Sequence, residues 1–204
     1  GLIVEHHSAG GHNAPPRGRS ELSDKGEPVY GERDAIDIAA IAAFGLPFWL
    51  AGSYGLPERL SAALDAGASG VQVGTLFAFC AESGLRDDLK QRVIDACLAG
   101  EPPTVVTSPV ASPTGFPFKV PQLAETLSDE AVYAARKRVC DLGYLREAYT
   151  RDDGSIGWRC ASEPVAVYKQ SGGRSEDCRG RQCLCNALTA NIGLGQHDDE
   201  REEA

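Results

Sequence analysis

Short apolar runs that end in glycine alternate with stretches patterned for helices along the first third of the chain. Leu2, Ile3 and Val4 form a run too short for a buried helix, and the breaker-rich stretch from Ser8 to Arg19 follows closely. Residues 2–5 are therefore expected to be a strand that feeds a loop. The alanine- and isoleucine-rich stretch 34–44 reads as a helix closed by Gly45. Pro47 to Ala51 reads as a second buried strand, ending in Gly52-Ser53-Tyr54-Gly55. Pro57 suits the first turn of a helix running to about Ala66, with Gly67 as its C-terminal stop. A third strand, Gly70 to Val73, ends in Gly74-Thr75 and leads into a helical pattern from Leu76 to Ala81.

Strand, helix, strand, helix, strand, with glycine at each strand end, is the pattern of parallel βα units. In such sheets the ligand site lies beyond the carboxyl ends of the strands. The three glycine-bearing segments are thus expected to converge on one site.

The rest of the chain reads differently. Residues 86–99 form a helix with Leu89, Val93 and Cys97 on one face, which makes Cys97 a core thiol. Pro102-Pro103 end that element, and Ser108 to Val120 holds too many prolines for a central strand and is read as a loop. A further helix is expected from a Ser128 cap, with Asp129 and Glu130 in its first turn. Short elements punctuated by cysteine and glycine continue to Gln196, and residues 197–204 read as an acidic, disordered tail. The expected organisation is a partial βα domain over 1–120, a cysteine-rich extension over 121–196, and the tail.

Composition narrows the function classes. There is no run of 18 apolar residues, so no transmembrane helix is expected in this part of the protein; no secretory pattern opens the chain, which leaves a targeting signal upstream of Gly1 open. The net charge of -9, from 20 basic and 29 acidic residues, argues against nucleic acid or an anionic membrane as partner. Residues 136–182 are locally basic, but they lack the interleaved aromatic residues of a single-strand binder. The chain contains no methionine, where average usage of roughly one in fifty gives about four. Because Gly1 lies directly before a strand, the chain is expected to be the downstream part of a larger protein. Of seven cysteines, five fall in the last third. Since a domain of this length buries enough surface without staples, the expectation is a reduced, cytoplasmic protein.

Candidate chemistry begins at Ala9-Gly10-Gly11-His12, just after the first strand. Paired glycines let backbone N–H groups approach a planar ligand, and a histidine beside them can reach its reactive face. Gly52-Ser53 and Gly74-Thr75 end successive strands, where backbone amides and hydroxyls make a phosphate cradle. Each motif alone is equally compatible with an ordinary turn.

Together they resemble a known family. Glu5 and Ala9-Gly10-Gly11-His12, then Ala51-Gly52-Ser53, then Ala66-Gly67-Ala68 and Gly70-Val71-Gln72-Val73-Gly74-Thr75 look like the last three strands of the nitronate monooxygenases, also called 2-nitropropane dioxygenases. The resemblance covers about residues 1–120. It implies an α/β fold, the last three βα units of a TIM (β/α)8 barrel, with FMN as cofactor and dioxygen and a small-molecule nitronate or nitroalkane as reactants. By the same resemblance, the FMN phosphate falls on Gly52, Ser53, Gly74 and Thr75 with Gln72 beside it. Gly10 and Gly11 lie near the flavin ring, and His12 is the catalytic base. The chain would then start at about the sixth barrel strand, and the N-terminal barrel half is expected elsewhere in the full-length protein. Glu5-His6-His7 departs from the family, which usually has a neutral polar residue and a glycine there; Ser53 replaces a second glycine. A related FMN-dependent enoyl reductase, which uses a pyridine nucleotide, is one alternative; a non-catalytic truncated scaffold with a structural metal is another.

Cys140, Cys160, Cys183 and Cys185 supply four thiolates, a number that suits tetrahedral zinc or an iron-sulfur cluster. The alternative is a set of buried thiols in a small packed region. Cys178 is the expected non-ligand. His6 and His7 are adjacent and are expected to point to opposite sides, against a shared metal.

Overall fold

The computed structural model describes residues 1–137 and 139–196, and the expected acidic tail lies outside them. The chain divides into two compact units, Gly1–Gly84 and Leu85–Ala204.

The first unit is a three-stranded parallel sheet in the order β1-β2-β3, with β1 Leu2–Glu5, β2 Phe48–Ala51 and β3 Gly70–Gln72. Two helices, α1 Ile38–Ala42 and α2 Pro57–Asp65, form the crossovers. The sheet alternates sides residue by residue. Phe48 and Leu50 form a core with Ala63 and Ala68, and Leu2, Val4, Ile38, Ile41 and Val71 pack against it. On the opposite parity, Ile3 is exposed, and a side chain at Gly70 would meet the indole of Trp49 at 3.0 Å. The βα reading is therefore what the first unit shows.

Helix boundaries moved where side chains compete for backbone N–H groups. The stretch expected as one helix over 34–44 contains only α1, because Asp37 is its N-cap, accepting from Ala40 N at 2.9 Å. Asp34 is occupied by the N–H groups of Arg17 and Gly31, both at 2.8 Å. Gly45 and Gly67 close α1 and α2 with positive φ, as expected. A single-turn helix, α3 Thr75–Ala78, follows β3.

The second unit is built from short pieces. After α4 Asp87–Leu98, two strands, β4 Val105–Ser108 and β5 Phe118–Pro121, pair antiparallel. This corrects the reading of 108–120 as loop throughout. Proline excludes a central strand, but a two-stranded ribbon has only edge strands, and Pro121 sits at the very end of one. Cys97 is exposed, not a core thiol, because the buried residues of α4 are Leu89 and Lys90 in its first turn. Helix α5 Glu130–Ala135 starts one residue later than expected. Asp129 caps it, while the Ser128 hydroxyl is engaged by the backbone of Leu123. A hairpin of β6 Glu147–Thr150 and β7 Ile156–Arg159, then α6 Val165–Gln170 and α7 Leu184–Ala190, complete the unit. Cys178 is buried with Ala161 and Tyr168 in a small core.

Candidate functional site

The register of the parallel sheet sets Glu5 beside Ala51 and Ala51 beside Gln72, so all three strands end at one level. The segments that follow, from His6, from Gly52 and from Val73, therefore leave the sheet together. Gly10, Gly11 and His12 lie in the first of these segments, Gly52 and Ser53 in the second, and Gly74 and Thr75 in the third. The second and third also meet: a Cβ at Gly55 would lie 3.4 Å from Leu76 Cδ1 and 3.5 Å from Val73 Cγ1.

Hydrogen bonds fix the first loop. His6 N donates to Ala51 O at 2.9 Å, and Ala9 N donates to His6 O at 2.9 Å. The His6 ring Nδ1 and Ser8 Oγ are 2.9 Å apart. Asn13, almost fully buried, donates Nδ2 to Ala9 O at 3.0 Å and so clamps the Gly10-Gly11-His12 turn. Its Oδ1 is buried with no partner. His12 is exposed at this turn, and partial desolvation pulls its pKa below the usual histidine value.

The glycines differ in what they do. A Cβ at Gly52 would meet Ser8 Oγ at 2.8 Å, Ala9 N at 3.1 Å and His6 Cβ at 3.1 Å, so this glycine lets the first two loops close on each other. Gly52 and Ser53 both have positive φ, +109° and +60°. Gly74 is the N-cap of α3 with no side chain on its first-turn amides. Gly10, Gly11 and Gly74 face open space where a Cβ would otherwise stand.

Several features escaped the sequence reading. Glu5 accepts the Gln72 side-chain amide at 3.4 Å across the small Ala51. His6 and His7 do not point apart: their rings are 3.8 Å centre to centre, because the strand ends at Glu5 and its alternation ends with it. The His7 ring also stacks on Tyr30, at 4.3 Å and 9°. A cavity of about 390 Å³ opens beside them, lined by Glu5, His6, His7, Asn13 and Tyr30 among others. The adjacency of Asn13 to the Gly-Gly-His motif was the only signal for its clamp.

In the second unit, Cys140, Cys160 and Cys183 line one cavity of about 20 Å³. Burial, with the nearby Cys140 and Cys183 thiols, pushes the Cys160 thiol up to about 11. Cys185 is raised by burial, with Cys183 and Cys140 contributing. None of the seven cysteines is in a disulfide. Among the described residues, no three His, Cys, Asp or Glu side chains stand together in a form that could hold a metal ion. No helix among the described residues is long and apolar enough to cross a membrane.

Comparison with known proteins gives the site a family. Residues 1–115 match the family model of nitronate monooxygenase. A probable nitronate monooxygenase of Bacillus subtilis is 36% identical over 95 residues, covering 47% of this chain and 26% of the relative. A Mycobacterium tuberculosis enzyme, (3aS,4S,5R,7aS)-5-hydroxy-7a-methyl-1-oxo-octahydro-1H-indene-4-carboxyl-CoA dehydrogenase, is 39% identical over 83 residues, covering 41% of this chain and 22% of that protein. The chain thus spans about a quarter of the length of these relatives. No solved structure matches. With its strand-end glycines, its Gly-Gly-His loop and a family match over more than half its length, the chain belongs to the nitronate monooxygenase family, a family of oxidoreductases.

Proposed function

We propose that this chain supplies the phosphate end of an FMN site and the catalytic base of an enzyme that oxidises alkyl nitronates and nitroalkanes with dioxygen. The observation that carries the reading is the common level of Glu5, Ala51 and Gln72, which sends the three glycine-bearing segments off the sheet together. Gly52, Ser53, Gly74 and Thr75 hold the phosphate, with Gln72 beside them, and Gly10 and Gly11 allow close approach of the ring. Bound FMN supplies the electron acceptor and the route to dioxygen.

The chain's own residues handle position and protons. His12 takes the α-proton of a neutral nitroalkane, and its lowered pKa keeps the imidazole unprotonated at neutral pH. A nitronate arrives already deprotonated and needs no base. Asn13 holds the turn that presents His12. Gln72 donates its side-chain amide to Glu5, which fixes it at the end of β3.

The test is the flavin content of the whole protein that carries this sequence, followed by turnover of a nitroalkane and its nitronate. A yellow protein that consumes dioxygen with either substrate supports the reading. A colourless protein that FMN does not reconstitute overturns it. The similarity to a protein named as a dehydrogenase favours a second reading, in which the same site does not act on nitronates; a pyridine nucleotide is the donor expected if it resembles the enoyl reductases. Oxidation of NAD(P)H without nitronate turnover selects that one.

A further inference from the structure

We propose that a cavity in the second unit binds the phosphate group of a small molecule through Arg181 and Arg146. The cavity measures about 570 Å³ and is lined by Arg146, Arg159, Arg181, Glu147 and Asp177 among others. All of these residues belong to the second unit, so the inference stands apart from the flavin reading of the first.

The charges in the cavity do not cancel. Glu147 is engaged twice, by Arg159 Nε at 2.7 Å and by the Tyr168 hydroxyl at 3.0 Å. Asp177 is held by Arg174, whose Nη2 stands 2.9 Å from its Oδ1. Arg146 reaches Glu163 only at 3.4 Å. Among the described residues, no carboxylate pairs with Arg181. Its Nε donates to Asp177 O at 3.3 Å, and its Nη1 donates to Pro109 O at 2.6 Å and to Ser112 O at 3.4 Å. Carbonyls fix a guanidinium without neutralising it, and the Nη2 N–H groups are left over. A planar cation with a spare pair of donors matches the oxygens of a phosphate.

The fold seats both arginines. Gly115 and Gly143 have positive φ, +83° and +70°. A Cβ at Gly115 would stand 3.1 Å from Arg181 Nη2, and one at Gly143 would stand 3.4 Å from Arg146 Cδ. Each side chain thus lies against backbone that a glycine leaves bare. With three carbonyls also on Arg181, the receptor is ordered before a ligand arrives, which lowers the entropy cost of binding.

The local charge runs against that of the chain. The net charge is -9, yet residues 136–182, which supply all three arginines, hold ten basic and seven acidic residues. A negative chain repels anions at long range, so this excess acts within a Debye length of about 8 Å, on a ligand small enough to enter the cavity. The volume lies in the usual small-molecule range of roughly 300–1,000 Å³, which leaves room for the organic part of a phosphate ester.

The experiment titrates the full 204-residue chain with inorganic phosphate and with phenyl phosphate, by calorimetry at low ionic strength. Saturable binding of a single anion per chain is expected. Arg181→Gln is expected to weaken it about tenfold and Arg146→Gln about threefold. Lys169→Gln removes the same charge from the same unit but outside the cavity lining, and should leave binding unchanged. Tighter binding of phenyl phosphate identifies an ester as the ligand, tighter binding of phosphate identifies the free ion, and both support the site. Phosphate held instead by the glycine turns of the first unit would survive both arginine substitutions, so the outcome is separable from that of the flavin test. No saturable binding to the wild-type chain, binding that both arginine variants leave unchanged, or an equal loss in Lys169→Gln overturns the proposal. If Arg181→Gln does not fold, the wild-type titration and Arg146→Gln, a change at an exposed residue, decide the matter.

Discussion

The carboxylate of Glu5 accepts the side-chain amide of Gln72 at 3.4 Å, reaching across the strand between them above Ala51. Two long side chains on the outer strands meet there because the central residue is small. The bond ties the end of β1 to the end of β3.

Glu5→Gln removes a negative charge while keeping an acceptor for Gln72. A carboxylate close to the proposed FMN repels its negative charge, so the variant of the whole protein is expected to bind FMN several-fold more tightly. Titration of flavin fluorescence reads the change, and unchanged or weaker binding would show that Glu5 does not face the cofactor.

His12 gives a pH signature. Its pKa lies below the usual 6.5 because desolvation disfavours the charged ring, so the neutral base persists to lower pH than an exposed imidazole would. The acid limb of kcat/KM for a neutral nitroalkane is therefore expected at a pH below about 6.5. His12→Gln should cost about 10²–10⁴-fold toward the nitroalkane and little toward the nitronate. Equal losses with both substrates would remove His12 from proton transfer.

Gly52 and Ser53 make a matched pair of opposite sign. Gly52→Ala places a Cβ against Ser8, Ala9 and His6 at a positive φ, and is expected to destabilise the chain by about 2 kcal/mol. Ser53→Gly relieves a left-handed non-glycine residue and should stabilise by about 1 kcal/mol. Urea denaturation of the two variants checks both signs.

Leu50 is 1% exposed at the centre of the first core. Leu50→Ala is expected to cost about 3 kcal/mol, from lost burial and an unfilled cavity. A loss below 1 kcal/mol, measured by the same denaturation, would mean that the sheet does not pack as described.

The parallel unit was legible because its signals are local and reinforce one another. A short apolar run, a glycine stop and a helix with Pro57 at its start each specify the same βα grammar. Positions decided by competition for hydrogen bonds were not legible. Asp37, not the alanine-rich pattern, sets the start of α1, and Asp129 displaces Ser128 as the cap of α5. The alternation of a strand stops at Glu5, so it does not govern the paired histidines that follow. Cys97 shows the complementary limit: helical spacing gives a face, but not which part of the helix is covered. At the proposed site, the glycines and His12 are named by motif chemistry alone, whereas the Asn13 clamp depends on how the loop folds back on Ala9.

Trp49 lies on the central strand with its indole near Gly1 and Gly70, and Trp158 lies on the β6-β7 hairpin, 60% exposed. These are the chain's two tryptophans, one in each compact unit. Each single-tryptophan variant therefore carries an intrinsic optical probe of one unit. Emission from Trp49 alone follows the melting of the parallel sheet, and emission from Trp158 alone follows the cysteine-bearing unit, so one pair of melting curves tells whether the two come apart as a single cooperative body or in sequence.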